Sequence, residues 1–476
     1  MMTLEQACSW LPGGTPVGEL GTAITRVHTD TRSLQAGDLF VALKGERFDG
    51  NGFLAQAKSS GAAAALCHPG SGLASSGLPG IEVADSKRAL GTLAAGWRAQ
   101  FSLPVIAVTG SNGKTTVTQM LASILRAYKP AAMLATQGNF NNDIGVPLTL
   151  LRLRREHQIA VLELGMNHPG EIALLAAMTM PSVALVNNAQ REHLEFMASV
   201  EAVARENGSI IGSLPNHGVA VFPNDDAFAD LWRTLAGSRR QMTFALGPGA
   251  STGTQPAADV SCKAPLWTKG AWQVNAATPA GPLVFVLRIA GLHNVHNALA
   301  AGTCALAAGV PLDAIRCGLE SFDAVKGRSR TMPLTLGKRQ LLLVDDSYNA
   351  NPDSVQAALD LLAGLPAPRL MVLGDMGEVG DQGEHLHAQA GEQARKLGLE
   401  ALFTLGPLSA AASGSFGPAR HFDAMPALIA AVLDELGRSA SVLVKGSRFM
   451  KMERVVDAIT AHAQQVRDSA QGAACC

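Results

Sequence analysis

The sequence predicts an α/β protein built as three domains, and three observations carry that expectation. From residue 104 to about 320, the runs "PVIAVTG", "IAVLELG", "VALVNNA" and "GVAVFP" alternate with helical patterns. Apolar, β-branched runs of this kind are what a parallel sheet buries on both faces, and their alternation with helices is the βαβ signature. After Gly327 the alternation restarts with "QLLLVDDS", "RLMVLGDM", "ALFTLG" and "SVLVKGS", each ending in a polar or glycine turn. The length of 476 residues also exceeds one core, since domains run to about 100–200 residues. The expected division is an N-terminal α+β domain over 1–102, a central α/β domain with a mostly parallel sheet over 103–322, and a C-terminal Rossmann-like α/β domain over 323–476.

Taken in order, the N-terminal segment alternates short strands with turn chemistry: "DLFVAL" is strand-like and bounded by Gly and Asp. Helix-like "SKRALGTLAAGWRAQF" and Pro104 close it. In the central segment a more polar hairpin region, 241–290, precedes a helix expected near His293. The C-terminal strand ends are where open α/β sheets bind ligands. Ala-rich "GAAAALC" and "ALAAGTCALAAGV" are read as buried helix, and the tail "QQVRDSAQGAACC" as disordered.

Lys+Arg is 38 and Asp+Glu 39, for a net charge of −1, with no basic stripe. That argues against nucleic acid as a partner. No apolar run approaches the ~18 residues of a bilayer span, and "MMTLEQACSWLPGG" lacks the basic n-region and apolar core of a signal peptide. Seven cysteines without a C-x-x-C read as core thiols of a reducing compartment. The expectation is a cytoplasmic, globular monomer.

"VTGSNGKTT" stands between strand "VIAV" and helix "TVTQMLASIL". Backbone N–H groups of a glycine turn converge there, and the following helix points its positive end at the same spot. Lys114 offers a point charge for β/γ-phosphates, and the Thr115 hydroxyl can reach Mg²⁺. Val108 stands where the general P-loop pattern has its first glycine, so the loop is a shortened T-G-x-x-G-K-T variant. It is expected to hold a nucleoside triphosphate through Thr109, Gly110, Ser111, Asn112, Gly113, Lys114, Thr115 and Thr116. Glu163 ends "IAVLELG", where a carboxylate could complete a Mg²⁺ shell; alone, such a glutamate is more often a cap. His193 in "NNAQREHLEFM" is, by itself, more often structural than a ligand.

The whole set resembles the ATP-dependent Mur ligase family. "TGSNGKTT" looks like its ATP loop, "GNFNNDIGVP" its substrate-facing loop, "ELGMNHPGEI" its metal-binding strand end, and "HTDTRSLQAGDLFVALKGERFDG" its uridine-nucleotide module. "GLHNVHNALAA", "DDSYNANPDS", "LGDMGEVG" and "VLVKGSRFMKME" extend the similarity over the whole chain, in order. "DDSYNANPDS" and "GNFNNDIGVP" are similar to the branch that adds D-alanyl-D-alanine to UDP-N-acetylmuramoyl-tripeptide in peptidoglycan precursor synthesis.

The resemblance implies the following roles. ATP and Mg²⁺ would be bound by Lys114 and Thr115, with Glu163 and His193 as further metal ligands. Asn297 would face adenine, and Arg328 and Asp346 would reach phosphate and ribose from the C-terminal domain. Thr31, Arg32 and Lys44 would lie near the uridine diphosphate, and Asn139, Asn141 and Asn142 near the muramoyl-peptide. Tyr348, Asn349, Asp375 and Lys445 would receive the dipeptide. Lys114, Glu163, His193 and Arg328 form the expected catalytic set.

One departure stands out. In "AVARENGSI", Asn207 occupies the place of the lysine that the family carbamylates to bridge metal, and Ser209 stands where Glu is common. Three alternatives follow: a second metal held differently, with Glu206 and Asn207 as candidates; a single Mg²⁺; or a crippled site. A working site with altered metal support ranks first. An amide ligation needs an activated acyl group, and ATP supplies it as an acyl phosphate by positioning and charge neutralisation. ATP contacts split between two domains imply closure about a hinge near 320–330. The rival readings are a sister or folate-type ligase with another acceptor, and a non-catalytic ATP-binding relative.

Overall fold

The computed structural model describes residues 1–46, 48–247 and 257–474. Its centre is a seven-stranded, wholly parallel sheet. Val105–Thr109 lies inside the sheet, flanked by Val183–Val186 on one side and Ile159–Glu163 on the other. Every residue of these three strands is buried, because helices cover both faces, as a parallel sheet requires. After Ile159–Glu163 the chain crosses to the far side of Val105–Thr109. That makes a topological switch point at the carboxyl end of Val105–Thr109, where such sheets open a crevice.

The region expected as a hairpin over 241–290 divides in two. Arg240–Leu246 and Val260–Cys262 extend the parallel sheet, and only Leu266–Thr268, Ala271–Ala276 and Leu283–Leu287 form an antiparallel meander. The apolar alternation of Arg240–Leu246 packs Met242 and Phe244 into the central core, which outweighs its polar flanks. The next helix is Leu292–Ala307.

The N-terminal sheet has five strands. Arg26–His28, Asp38–Val41, Ala64–Cys67 and Gly80–Glu82 run parallel, and Thr15–Val17 closes one edge antiparallel. "GAAAALC" therefore contributes a buried strand, not a helix: small side chains let Ala64–Cys67 sit between two parallel neighbours. The C-terminal sheet runs Arg330–Leu336, Arg339–Asp346, Ser441–Lys445, Arg369–Gly374, Ala401–Leu405, Arg420–Phe422, with only the first pair antiparallel.

The tail is helical up to Ala474 within Glu453–Ala474, correcting the expectation of disorder for 464–474. Val455, Val456, Ile459 and Ala463 anchor that helix on the C-terminal core. Cys475 and Cys476 lie outside the described residues. Cys67, Cys262 and Cys304 are buried and form no disulfide among the described residues. No helix among the described residues is long and apolar enough to cross a membrane.

Candidate active site

The strand Val105–Thr109 delivers the chain into the turn 110–113, and the helix Lys114–Tyr128 leaves it. Gly110 (φ +132°) and Gly113 (φ +82°) adopt backbone conformations that L side chains rarely take. A Cβ at Gly113 would collide with the side chains of Asn297 and Asn187. The loop is tied down from below. Asn188 Oδ1 accepts from the Asn112 N–H at 2.8 Å, Ser111 Oγ from the Gln190 N–H at 2.8 Å, and Asn112 Nδ2 donates to Gln190 Oε1 at 2.6 Å. The free N–H groups of the first helical turn face a cleft of about 970 Å³.

Lys114 Nζ donates to the Gly110 and Ser111 carbonyls at 2.5 and 3.0 Å and to Glu192 Oε2 at 3.2 Å. Glu163, at the tip of its strand, is 2% exposed. Its Oε1 accepts from Thr115 Oγ1 at 3.2 Å and from Asn141 Nδ2 at 2.8 Å, while its buried Oε2 has no hydrogen-bond partner among the described residues. A buried carboxylate oxygen left unpaired beside a hydroxyl is chemistry suited to a hard cation. His193 adopts a left-handed conformation (φ +49°) and sets Nδ1 2.5 Å from Glu378 Oε2. That imidazole holds the Glu378 carboxyl below the usual carboxylate range.

Across the cleft, Arg328 Nη2 donates to Thr115 Oγ1 at 3.3 Å, and its guanidinium lies 4.0 Å from the centre of the Tyr348 ring. Asp346, at the end of its strand, accepts from Lys445 Nζ at 2.6 Å and from the Ser329 N–H at 2.9 Å. Asn297 shares its amide between Asn187 and Asn294 at 3.0 and 3.1 Å. His293 lines the same end of the cleft and is held below its ordinary value by burial, whereas burial raises the Asp226 carboxyl.

The expected site residues thus fall into four groups, of which Thr109 and Gly110 are the first: Thr109 is fully buried, both are bound to Asn207 at the root of the loop, and neither lines the cleft as expected. Ser111 through Thr116, Asn139, Asn141, Asn142, Glu163, His193, Asn297, Arg328, Asp346, Tyr348, Asn349 and Lys445 line one cleft. Thr31, Arg32 and Lys44 stand outside it in the N-terminal domain, the first two in the 3-10 turn Thr31–Ser33 and Lys44 just past the strand Asp38–Val41, with Arg32 forked onto Asp30 and Lys44 3.7 Å from Asp49. Asp375 does not face the cleft: buried at its own strand tip, it accepts from the Ser409 and Leu408 N–H groups at 2.8 and 3.4 Å and so closes a turn.

Neither metal-support candidate faces the phosphate loop as a free ligand. Glu206 accepts from the Gly170 and Ile172 N–H groups, both at 2.9 Å, and caps the helix Glu171–Thr179. Asn207 is fully buried, and its Oδ1 accepts from Thr109 Oγ1 at 2.7 Å and the Gly110 N–H at 3.1 Å. It braces the root of the loop. Glu192, Glu378 and Arg448 are cleft residues to which the sequence reading gave no role, although each lies inside a run quoted above, "NNAQREHLEFM", "LGDMGEVG" and "VLVKGSRFMKME".

Comparison with known proteins adds the following. Residues 23–98 match the Mur ligase family catalytic domain, 108–305 the Mur ligase middle domain, and 330–448 the Mur ligase glutamate ligase domain. The UDP-N-acetylmuramoyl-tripeptide--D-alanyl-D-alanine ligase of Escherichia coli K12 is 43% identical over 93% of this chain and 96% of its own. The enzyme of that name from Haemophilus influenzae is 37% identical over 92% and 94%. The crystal structure of MurF from Acinetobacter baumannii superposes with TM-score 0.85 at 35% identity, covering 97% of this chain and 98% of that one. MurF from Thermotoga maritima, solved in complex with ADP, gives 0.79 at 25% identity, covering 92% and 98%.

Proposed function

The chain belongs to the Mur ligase family, and from that premise we propose that it joins D-alanyl-D-alanine to UDP-N-acetylmuramoyl-tripeptide at the expense of ATP. It is an ATP-dependent ligase. The observation that carries the reading is the meeting of Arg328 with Thr115: a cation from the segment leading into the C-terminal sheet reaches the phosphate loop of the central one.

The chemistry follows from what lines the cleft. A carboxylate oxygen of the tripeptide attacks the γ-phosphorus and ADP leaves, which gives an acyl phosphate. The neutral amine of the dipeptide then attacks the acyl carbon. The amide bond forms, the amine sheds a proton, and phosphate departs with the oxygen that the carboxylate brought. Lys114 and Arg328 neutralise charge around the transferred group, and the N–H groups at the start of Lys114–Tyr128 cradle it. Asn297, Asn294 and His293 frame the adenine end.

Thr115 and Glu163 would hold Mg²⁺, with His193 approaching from its own loop. The ion would supply Lewis-acid charge on the phosphates. Among the described residues no three His, Cys, Asp or Glu side chains converge as a cage. Mg²⁺ ordinarily takes one or two carboxylates plus substrate phosphates, which suits a single well-bound ion. Thr31, Arg32 and Lys44 in the loops of the N-terminal domain would hold the uridine diphosphate, and Asn139, Asn141 and Asn142 the peptide arm. Closure of the C-terminal part about residues 320–330 would exclude water; Gly327 (φ +78°) and Ser329 (φ +48°) are the irregular backbone there. Because the reaction consumes ATP, we place it in the cytoplasm.

The test is isotopic. With ¹⁸O in the tripeptide carboxylate, one labelled oxygen is expected in the released phosphate for each amide formed. Phosphate without label would rule out the acyl phosphate.

A further inference from the structure

The acceptor dipeptide has two ends. Its amine reacts, and its carboxylate must be recognised without being activated. An anion entering a partly desolvated cleft needs a cation with uncommitted donors. Among the described residues, the Lys and Arg side chains lining the cleft are Lys114, Arg328, Lys445 and Arg448. Lys114 sits on the phosphate loop, bound to its carbonyls and Glu192, and is assigned above to the phosphates. Arg328 is directed at Thr115 and stacked on Tyr348. Lys445, only 4% exposed, donates to Asp346 at 2.6 Å and to the Asn349 carbonyl at 3.0 Å. Its charge is already matched.

Arg448 differs from all three. It follows the strand Ser441–Lys445, is 62% exposed, and makes one single-pronged contact with an acid, Nη1 to Glu453 Oε1 at 3.0 Å. It lines the cleft, the rest of its planar fork makes no other hydrogen bond among the described residues, and its guanidinium lies 5.6 Å from the centre of the Tyr348 ring. The adjacent Phe449 lines the same cleft at 63% exposure, and Gly377 leaves room for its ring, since a Cβ there would come within 2.9 Å of it. An open guanidinium beside an exposed aromatic face is a pairing that suits a small carboxylate-ended molecule with methyl side chains.

We propose that Arg448 binds the C-terminal carboxylate of the acceptor dipeptide, with Phe449 packing on its methyl groups, so that Arg448 sets the preference for an acceptor ending in a free acid. The proposal rests on the reading of this cleft as a D-alanyl-D-alanine ligase. It moves acceptor recognition away from Asp375, which closes a turn, and from Lys445, which is saturated by Asp346.

The experiment compares D-alanyl-D-alanine with its C-terminal amide, in the full-length protein and in R448Q. The wild type is expected to favour the acid by about 10- to 100-fold in kcat/KM, the scale of a hydrogen bond to a charged group. In R448Q that ratio is expected to fall close to one, through a raised KM for the acid. An R448Q protein that keeps the wild-type acid-to-amide ratio overturns the proposal, and so does an equal loss on both acceptors. A wild type that consumes ATP with neither acceptor overturns the ligase reading itself, a separate failure.

Discussion

Arg191 grips Asp353 twice: its N–H donates to one carboxylate oxygen at 2.7 Å and its guanidinium to the other at 2.8 Å. Arg191 lies in the loop after Val183–Val186 of the central sheet, and Asp353 in the first turn of the helix Pro352–Ala363 of the C-terminal part. Beside them Asn351, the cap of that helix, donates from Nδ2 to Asn112 Oδ1 at 3.0 Å. The phosphate loop and the C-terminal part are therefore clasped directly, next to the point where Arg328 crosses.

If that clasp sets the closed geometry, R191A and D353A each lower kcat/KM by about 2- to 5-fold, the range of a partly exposed ion pair. The charge-exchanged double variant R191D/D353R recovers part of the loss. Steady-state kinetics on the four proteins checks this, and additive losses would argue against coupling.

Lys114 touches two loop carbonyls and Glu192 within 3.2 Å and is proposed to meet the triphosphate's charge. K114A is expected to lose about 100-fold or more in kcat while keeping its fold. Calorimetry of ATP binding alongside the turnover assay separates the two effects.

Glu163 Oε2 is buried and unpartnered. E163Q keeps the hydrogen-bonding shape but removes the charge. The Mg²⁺ concentration for half-maximal rate is then expected to rise about 10-fold or more. An unchanged Mg²⁺ titration would remove Glu163 from the metal site.

Asn207 and Glu206 are expected to act on stability. N207A leaves Thr109 Oγ1 and the Gly110 N–H without their acceptor and costs about 1–3 kcal/mol, with weaker ATP binding because the loop root loosens. E206A uncaps Glu171–Thr179 for about 1 kcal/mol with ATP binding retained. Thermal unfolding with and without ATP distinguishes the pair.

What could be read in advance was whatever the chain encodes locally. Strand, glycine turn, Lys114, Thr115 and helix are contiguous, so the phosphate loop declared itself. The tip of Ile159–Glu163 was legible only as a strand end: Glu163 by itself reads more often as a cap, and its metal role came from the family resemblance. Asp375 misled for a physical reason: a polar residue at a strand tip can point to ligand or cap the next turn, and only the position of Ser409 decides. Glu206 and Asn207 are adjacent on one helix, yet one reaches the Gly170 amide and the other Gly110. That split depends on how Val200–Gly212 packs, which its sequence does not carry. The clasp of Arg191 on Asp353 spans 162 positions, and no local pattern announces it.

The most direct test of the central claim is phosphate release from ATP in the presence of Mg²⁺, UDP-N-acetylmuramoyl-tripeptide and D-alanyl-D-alanine, with each component omitted in turn. Sustained release that requires all of them, matched by one new amide per phosphate, is the predicted result, and it would show that Asn207 supports a working site. ATP binding without acceptor-dependent release would contradict the account.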